Sequence, residues 1–337
     1  MTSTATSRGR QGSTGAGSEQ LERQLNEHRG ELTGYCYRML GSAFDADDAV
    51  QETMLRAWRG LDRFEGRSSL RSWLYRIATN ACLDLLEGRN RRALPMDLAA
   101  EPSPPVAASL AGRQPEATWV EPMLDHKLST DADPADLAVE RESIRLAFVA
   151  ALQQLPPRQR AVLILRDVLR WKADEVAQLL DTSVASVNSA LQRARAGMAA
   201  RRTTPAPAYD PLDEEHRALL SRYLDAFERY DIDSLVSLLH EDATQNMPPY
   251  EMWLRGRDDI VRWMLGPGAG CRGSRLVPLT ANASPAFAHY RPARSGGGHE
   301  PFAVQVLEVS GGRVTAITSF LDTRLFALFG LPPVLVA

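Results

Sequence analysis

The chain has 337 residues, 44% of them hydrophobic and 24% charged. That length exceeds one ordinary core and implies two or three domains, and the balance excludes a wholly disordered or fibrous chain. The formal net charge of −3 taken alone argues against nucleic acid as a partner, and the absence of any run of 18 apolar residues excludes a spanning helix.

The first residues, Met1–Gly17, are rich in Ser, Thr and Gly and lack an apolar core. Residues 1–18 therefore read as a disordered arm, neither signal peptide nor anchor, and the chain reads as cytoplasmic with no membrane partner. Residues 19–92 read as almost all helix. Leu21, Leu25, Leu32, Tyr35 and Met39 recur at helical spacing until Gly41 and Ser42 break the pattern. Asp45 then caps a second helix whose apolar face is Ala49, Val50, Thr53, Met54 and Trp58. After a loop around Phe64–Arg67, Ser68 or Ser69 caps a third helix carrying Leu70, Trp73, Leu74, Ile77, Ala78 and Ala81.

Residues 93–136 carry Pro, few periodic apolar positions and an acidic excess, which is linker composition. Residues 137–202 are helical again, broken at Leu155–Pro157 and Asp181–Ser183. A short second linker, 203–211, is stiffened by three Pro. From 212 to 337 the pattern changes to helices at Glu214–Tyr230, Ile232–His240 and Arg257–Met264, followed by strands at Arg275–Ala281, Ala286–Tyr290, Phe302–Val309 and Val314–Asp322. The fold class is thus multidomain: two all-α modules followed by an α+β domain.

The overall acidity conceals a charge pattern. Residues 140–202 hold 11 Lys and Arg against 6 Asp and Glu, whereas residues 96–139 hold 2 against 8. Basic charge gathered in one short segment is the footprint of a module that touches phosphates. Cys36, Cys82 and Cys271 are far apart, odd in number and without partners at zinc spacing, so they read as reduced thiols, with no metal and no cofactor.

The strongest local signal runs from Lys172 to Arg195. Two short helices meet at a tight turn, with Val176, Ala177 and Leu180 inward from the first and Val187 and Leu191 inward from the second, which Val184 begins. Asp181 stands at the turn, where a left-handed residue is needed and Asp is tolerated. The spacing leaves Ser183, Ala185, Ser186, Asn188, Ser189 and Gln192 on the outer face, suited to base edges in a major groove. Arg193 and Arg195 suit phosphates.

The segments Gly41–Trp58 and Leu70–Asp84 resemble region 2 of the extracytoplasmic-function sigma factors, and Leu155–Asp167 with the helix-turn-helix resembles region 4. The resemblance covers about 20–92 and 137–200 and implies a transcription initiation factor. It implies that Asp45, Asp47, Asp48, Gln51 and Glu52 lie on the helix that clamps the β′ coiled coil of core RNA polymerase, and that region 4 meets the β flap. It implies a −10 surface at Arg71, Trp73, Tyr75, Arg76 and Asn80 and a −35 surface at Ser183–Arg195. The types agree with the task, since unpaired bases are held by stacking and polar groups beside phosphate-binding cations. At its helical spacing Trp73 also reads as core, and the acidic face also reads as simple solvation. Whether an anti-sigma partner exists is left open.

Residues 212–337 resemble the SnoaL/NTF2-like cone appended to the sigma-G and sigma-J types. Such a cone encloses a pocket, and Met247, Tyr250, Trp253, Trp263 and Phe302 are candidates to line it or to form its core. His240, His289 and His299 are isolated, so with Tyr250 and Asp322 they form no compact acid/base set, and the domain reads as regulatory rather than enzymatic. The alternative is a DNA-binding regulator or a small-molecule enzyme using the cone.

Overall fold

The computed structural model describes residues 23–61, 64, 68–128, 141–200, 213–294 and 296–336. The arm at 1–18, the last part of the acidic linker (129–136) and the stretch 203–211 lie outside the described residues. Among those described, no helix is long and apolar enough to cross a membrane.

The first module is three helices, α1 (Arg29–Leu40), α2 (Ala43–Gly60) and α3 (Leu70–Leu86). Gly41 ends α1 with φ 66°, a conformation open to glycine at little cost. The cap of α2 is Ser42, whose side chain accepts from the Asp45 N–H, and not Asp45 as the sequence suggests. Ser69 caps α3 in the same way. Leu32, Tyr35, Met39, Ala46, Val50, Leu74, Ala78 and Cys82 close the core between them, and the Tyr35 and Thr79 hydroxyls meet at 2.8 Å.

Residues 93–128 differ from a free linker. They carry only one helical turn (Pro95–Leu98) and three 3₁₀ turns, yet they form a strap fixed along its length. Ala93 bridges Trp119, Arg113 bridges Tyr250 and Leu124 bridges Ala281. Trp119, Val120, Met123 and Leu124 are buried. Burial contributes about 1.5–3 kcal/mol for each such side chain, which is why a Pro-bearing stretch with no periodicity keeps one path.

The second module holds α4 (Leu146–Gln153), α5 (Pro157–Leu163), a π turn at Ile164–Val168, α6 (Ala173–Leu179) and α7 (Val184–Ala199). The tail has α8 (Glu214–Arg229), α9 (Ile232–Ser237), α10 (Arg257–Leu265) and α11 (Arg324–Leu328) around one six-stranded sheet. Its strands are β1 (Leu239–Asn246), β2 (Trp253–Arg255), β3 (Arg275–Ala281), β4 (Ser284–Pro292), β5 (His299–Ser310) and β6 (Arg313–Phe320), in the order β2-β1-β6-β5-β4-β3. Only β1 with β6 is parallel.

The two faces of this sheet go different ways. Leu276, Phe287, Leu307 and Ile317 pack with α8 and α10 in the tail's own core. Ala286, Ala288, Tyr290, Val304, Val306 and Phe320 belong to the buried cluster that contains the two helical modules. One residue ties the parts together: Asn282, in the β3–β4 turn with φ 57° and no exposure. Its amide donates to the Tyr37 hydroxyl and the Ile144 carbonyl, both at 2.6 Å, and its Oδ1 accepts from the Met123 N–H at 2.9 Å.

Candidate nucleic-acid interface

The helix-turn-helix is built as its spacing requires. Leu180 ends α6, Asp181 takes φ 48°, and Ser183 caps α7 by accepting from the Ser186 N–H. Val187, Leu191 and Ala194 face the core, so the opposite stripe is free. Ser183, Ala185, Ser186, Asn188, Ser189, Gln192, Arg193 and Arg195 are all exposed. Val184, at the helix start, is 42% exposed and adds an apolar contact to the same surface. Arg195 is held by Asp167 in a two-pronged ion pair at 2.9 and 2.7 Å. That pair raises the Arg195 pKa.

The α3 surface is different. Asn80 and Arg76 are exposed, but Arg76 Nη2 donates to the Gln178 carbonyl of α6 at 2.9 Å. Arg71 pairs with Glu31 at 2.8 Å and lies over the Tyr75 and Trp171 rings at 5.2 and 5.3 Å. Trp73 is half-buried, tilted against Phe64 at 5.0 Å. Tyr75 departs from the expectation of a base contact. It is fully buried, edge-on to Tyr35 at 5.1 Å and 4.9 Å from Trp171. Burial, then the Glu31 carboxylate, raises its pKa; in this packing it is a core residue that no base can reach. Its cover, Trp171, comes from 96 positions further along the chain, and sequence reading did not single it out.

The acidic set on α2 also divides. Asp45 is drawn into ion pairs with Arg92 at 2.6 Å and Arg89 at 3.0 Å, so its carboxylate is spent within the fold rather than offered outward. Asp47, Gln51 and Glu52 stay at the surface in short helical pairs, with Gln51 donating to Asp47 and Arg56 to Glu52; Asp48 is exposed. Two residues lengthen that face. Leu55 is 51% and Trp58 46% exposed, so Trp58 is not core as its spacing suggests.

The five cone residues do not converge. Trp263 lies in the tail's apolar core, with Met247 and Tyr250 packed on it. Trp253 turns to the strap and donates its indole N–H to the Ala99 carbonyl at 2.9 Å. Phe302 lies under the Arg291 guanidinium and edge-on to His289 at 4.9 Å. A cavity of about 780 Å³ lies instead where both helical modules, the strap and the tail meet, and none of the five lines it. Within the sheet, His289 is 1% exposed with both ring nitrogens unpartnered among the described residues. Burial, with Arg291 nearby, lowers its pKa to about 3, so it is a neutral ring. The described residues hold no group of three or more His, Cys, Asp or Glu placed to bind a metal.

Known proteins resemble this arrangement module by module. Sigma-70 region 2 matches residues 25–92, Sigma-70 region 4 matches 145–198, and the SnoaL-like domain matches 220–317. The ECF RNA polymerase sigma factor SigG of Mycobacterium tuberculosis is 49% identical over 308 residues, covering 90% of this chain and 82% of that protein. The chain belongs to the extracytoplasmic-function RNA polymerase sigma factors. SigJ of the same organism is 29% identical over 86% of this chain and 88% of its own length. The SigJ crystal structure superposes with a TM-score of 0.58 at 23% identity, covering 94% of this chain and 99% of that one, so the fold is shared end to end. Membership makes core RNA polymerase and promoter DNA the partners of the chain, and makes it a transcription factor rather than an enzyme.

Proposed function

We propose a division of labour within this sigma factor. The α7 stripe, Ser183 to Arg195, reads the −35 duplex. The α3 surface around Asn80, with Arg71, Arg76 and Trp73, holds the melted −10 strand. The α2 face of Asp47, Asp48, Gln51 and Glu52, extended by Leu55 and Trp58, seats on the polymerase coiled coil. The work is done in the cytoplasm. The tail acts in cis, by holding the helical modules in the packing in which Trp171 covers Tyr75. The observation that carries this reading is the position of Asn282: one tail side chain bonds region 2 at Tyr37, the strap at Met123 and the chain entering region 4 at Ile144.

Promoter-directed run-off transcription with purified core polymerase tests it. The wild-type chain yields a transcript that depends on both promoter elements. Asn282→Ala strips three buried hydrogen bonds and loosens the modules, each bond being worth about 0.5–1.5 kcal/mol net. Transcript yield then changes while the start site stays fixed. Unchanged yield, with the tail shown by limited proteolysis to have detached, removes the regulatory role.

A further inference from the structure

The cavity of about 780 Å³ at the four-way junction is the feature that the sigma activity leaves unexplained. Its volume lies within the 300–1,000 Å³ typical of small-molecule sites. Five guanidinium groups line it, those of Arg89, Arg91, Arg92, Arg160 and Arg324, against the carboxylates of Asp45, Glu116 and Glu121. The carboxylates are mostly engaged. Arg92 and Arg89 take Asp45, and Glu121 faces Arg92 at 3.7 Å, while Arg324 has its own partner in Asp322.

Two cations are left over. Arg160 is 2% exposed and faces no carboxylate among the described residues. Its NH groups reach only neutral oxygens, at Met39, Gln153 and Leu155, and its Nε has no partner among the described residues. Arg91 is exposed, makes no ion pair among the described residues, and repels Arg160. A buried charge without a counter-charge is costly; the Nη–H groups of Arg160 are already donated within the fold, so the fork open to phosphate oxygens is that of Arg91. Burial, with Arg91, lowers the Arg160 pKa only to about 10, so the group stays cationic at neutral pH.

We propose that this cavity binds a phosphorylated small molecule of nucleotide size, its phosphates against the exposed Arg91 with the buried charge of Arg160 behind them, and its uncharged part against Leu40, Phe44 and Leu86. The wall is contributed by region 2, the strap, region 4 and the tail together. An occupant therefore stabilises the closed arrangement as a whole, and binding rises or falls with it by linkage.

The test uses the full chain, with ATP and inorganic tripolyphosphate as probes, in titration calorimetry and thermal melts at constant ionic strength. ATP binds saturably at one site per chain and raises the melting temperature; tripolyphosphate binds the same site more weakly. Arg91→Glu, at an exposed position, sets a carboxylate beside the Arg160 cation, so it melts no lower than the wild type without ligand, and it binds ATP at least about tenfold more weakly, the effect of about 1.4 kcal/mol. Arg193→Glu, on the DNA-facing helix, binds ATP as the wild type does. Absence of saturable binding by either probe overturns the proposal. So does loss of binding in Arg193→Glu with retention in Arg91→Glu, which assigns the phosphates to the DNA surface. Binding of tripolyphosphate without ATP overturns the nucleotide-sized occupant.

Discussion

Helices α7 and α3 carry the two surfaces proposed to face the promoter, and they are presented in opposite ways. The α7 stripe is open along its length: eight polar or small residues reach solvent, the helix is packed from behind by Val187, Leu191, Ala194 and Met198, and Arg195 at the end of the stripe is paired with Asp167. The α3 surface is partly closed by α6 and by Trp171, two residues before it, through Arg76 to the Gln178 carbonyl and through Trp171 over Tyr75. On the proposed reading, duplex DNA meets region 4 without rearrangement, whereas an unpaired strand at region 2 reaches Asn80 directly but Arg76 and Tyr75 only once these region 4 contacts open. Exposure of the reading residue, more than its identity, separates the two.

The largest effect comes from removing the cover. Trp171→Ala deletes a side chain that is 5% exposed and touches Tyr75 and Arg71, so urea unfolding should show a loss of about 3–5 kcal/mol. Trp171→Phe keeps most of the packing and drops an indole N–H that has no partner among the described residues, so it should cost much less. Trp171→Ala should bind a single-stranded −10 oligonucleotide more tightly than the wild type, and Trp171→Phe nearly as the wild type does, because a covered site binds in proportion to the fraction of molecules that are open. Equal affinity in all three proteins, by fluorescence anisotropy, would show that the cover is irrelevant to DNA.

Sequence reading recovered what is local and lost what is made across the fold. The Arg275–Ala281 strand and the turn at Asp181 were legible because pattern and turn chemistry sit within a few residues. β1 was not: His240 reads as the end of a helix, and Glu241–Asn246 lacks alternation, because its partner is β6, about 70 residues later, paired in parallel. Trp58 and Tyr75 exchanged roles for a similar reason. Helical spacing places Trp58 with Met54 and the resemblance implies a base contact for Tyr75, yet Trp58 is 46% exposed while Trp171 closes over Tyr75. The strap was legible as non-helical but not as buried, since Trp119 to Leu124 are anchored by bridges to distant segments. Of the −35 surface all eight positions are exposed; of the cone residues none faces the large junction cavity.

Whether the covered and open surfaces belong to one cooperative unit can be asked through His289. Its folded pKa of about 3 lies far below the ordinary value of 6.5. Between those values the unfolded chain binds the extra proton, so stability is present above pH 6.5 and is lost as pH falls toward 3, by at most about 1.4 kcal/mol per unit. The carboxyls of Glu121 and Glu308 are shifted upward by burial and act in the opposite sense, but equally in wild type and variant. Phe keeps an aromatic ring between Phe227 and Phe302, the rings that touch His289 at 5.2 and 4.9 Å, and removes the titrating nitrogens. His289→Phe should therefore flatten the acid slope and leave about 2–3 kcal/mol more stability than the wild type at pH 4.5, after matching at pH 7. If tail and helical modules unfold together, as their shared buried cluster implies, the difference appears in limited proteolysis of region 4 as well as of the tail. Protection confined to the tail would separate them.

The smallest effect should fall on the open helix. Gln192 is exposed in the outer stripe of α7 and makes no contact that the fold needs, so Gln192→Ala should leave stability within about 0.5 kcal/mol. A side-chain amide that pairs with one base edge is worth about 1–3 kcal/mol of discrimination. Binding to a −35 duplex should thus weaken about tenfold to a hundredfold on the preferred sequence and hardly at all on a scrambled one. Arg193→Ala provides the contrast, since a phosphate contact weakens both duplexes alike and lowers the salt slope by about one. If Gln192→Ala weakens both sequences equally, the stripe is a phosphate surface. Reading of the −35 element would then have to lie nearer the start of α7, at Val184 and Ala185, where the exposed groups are apolar.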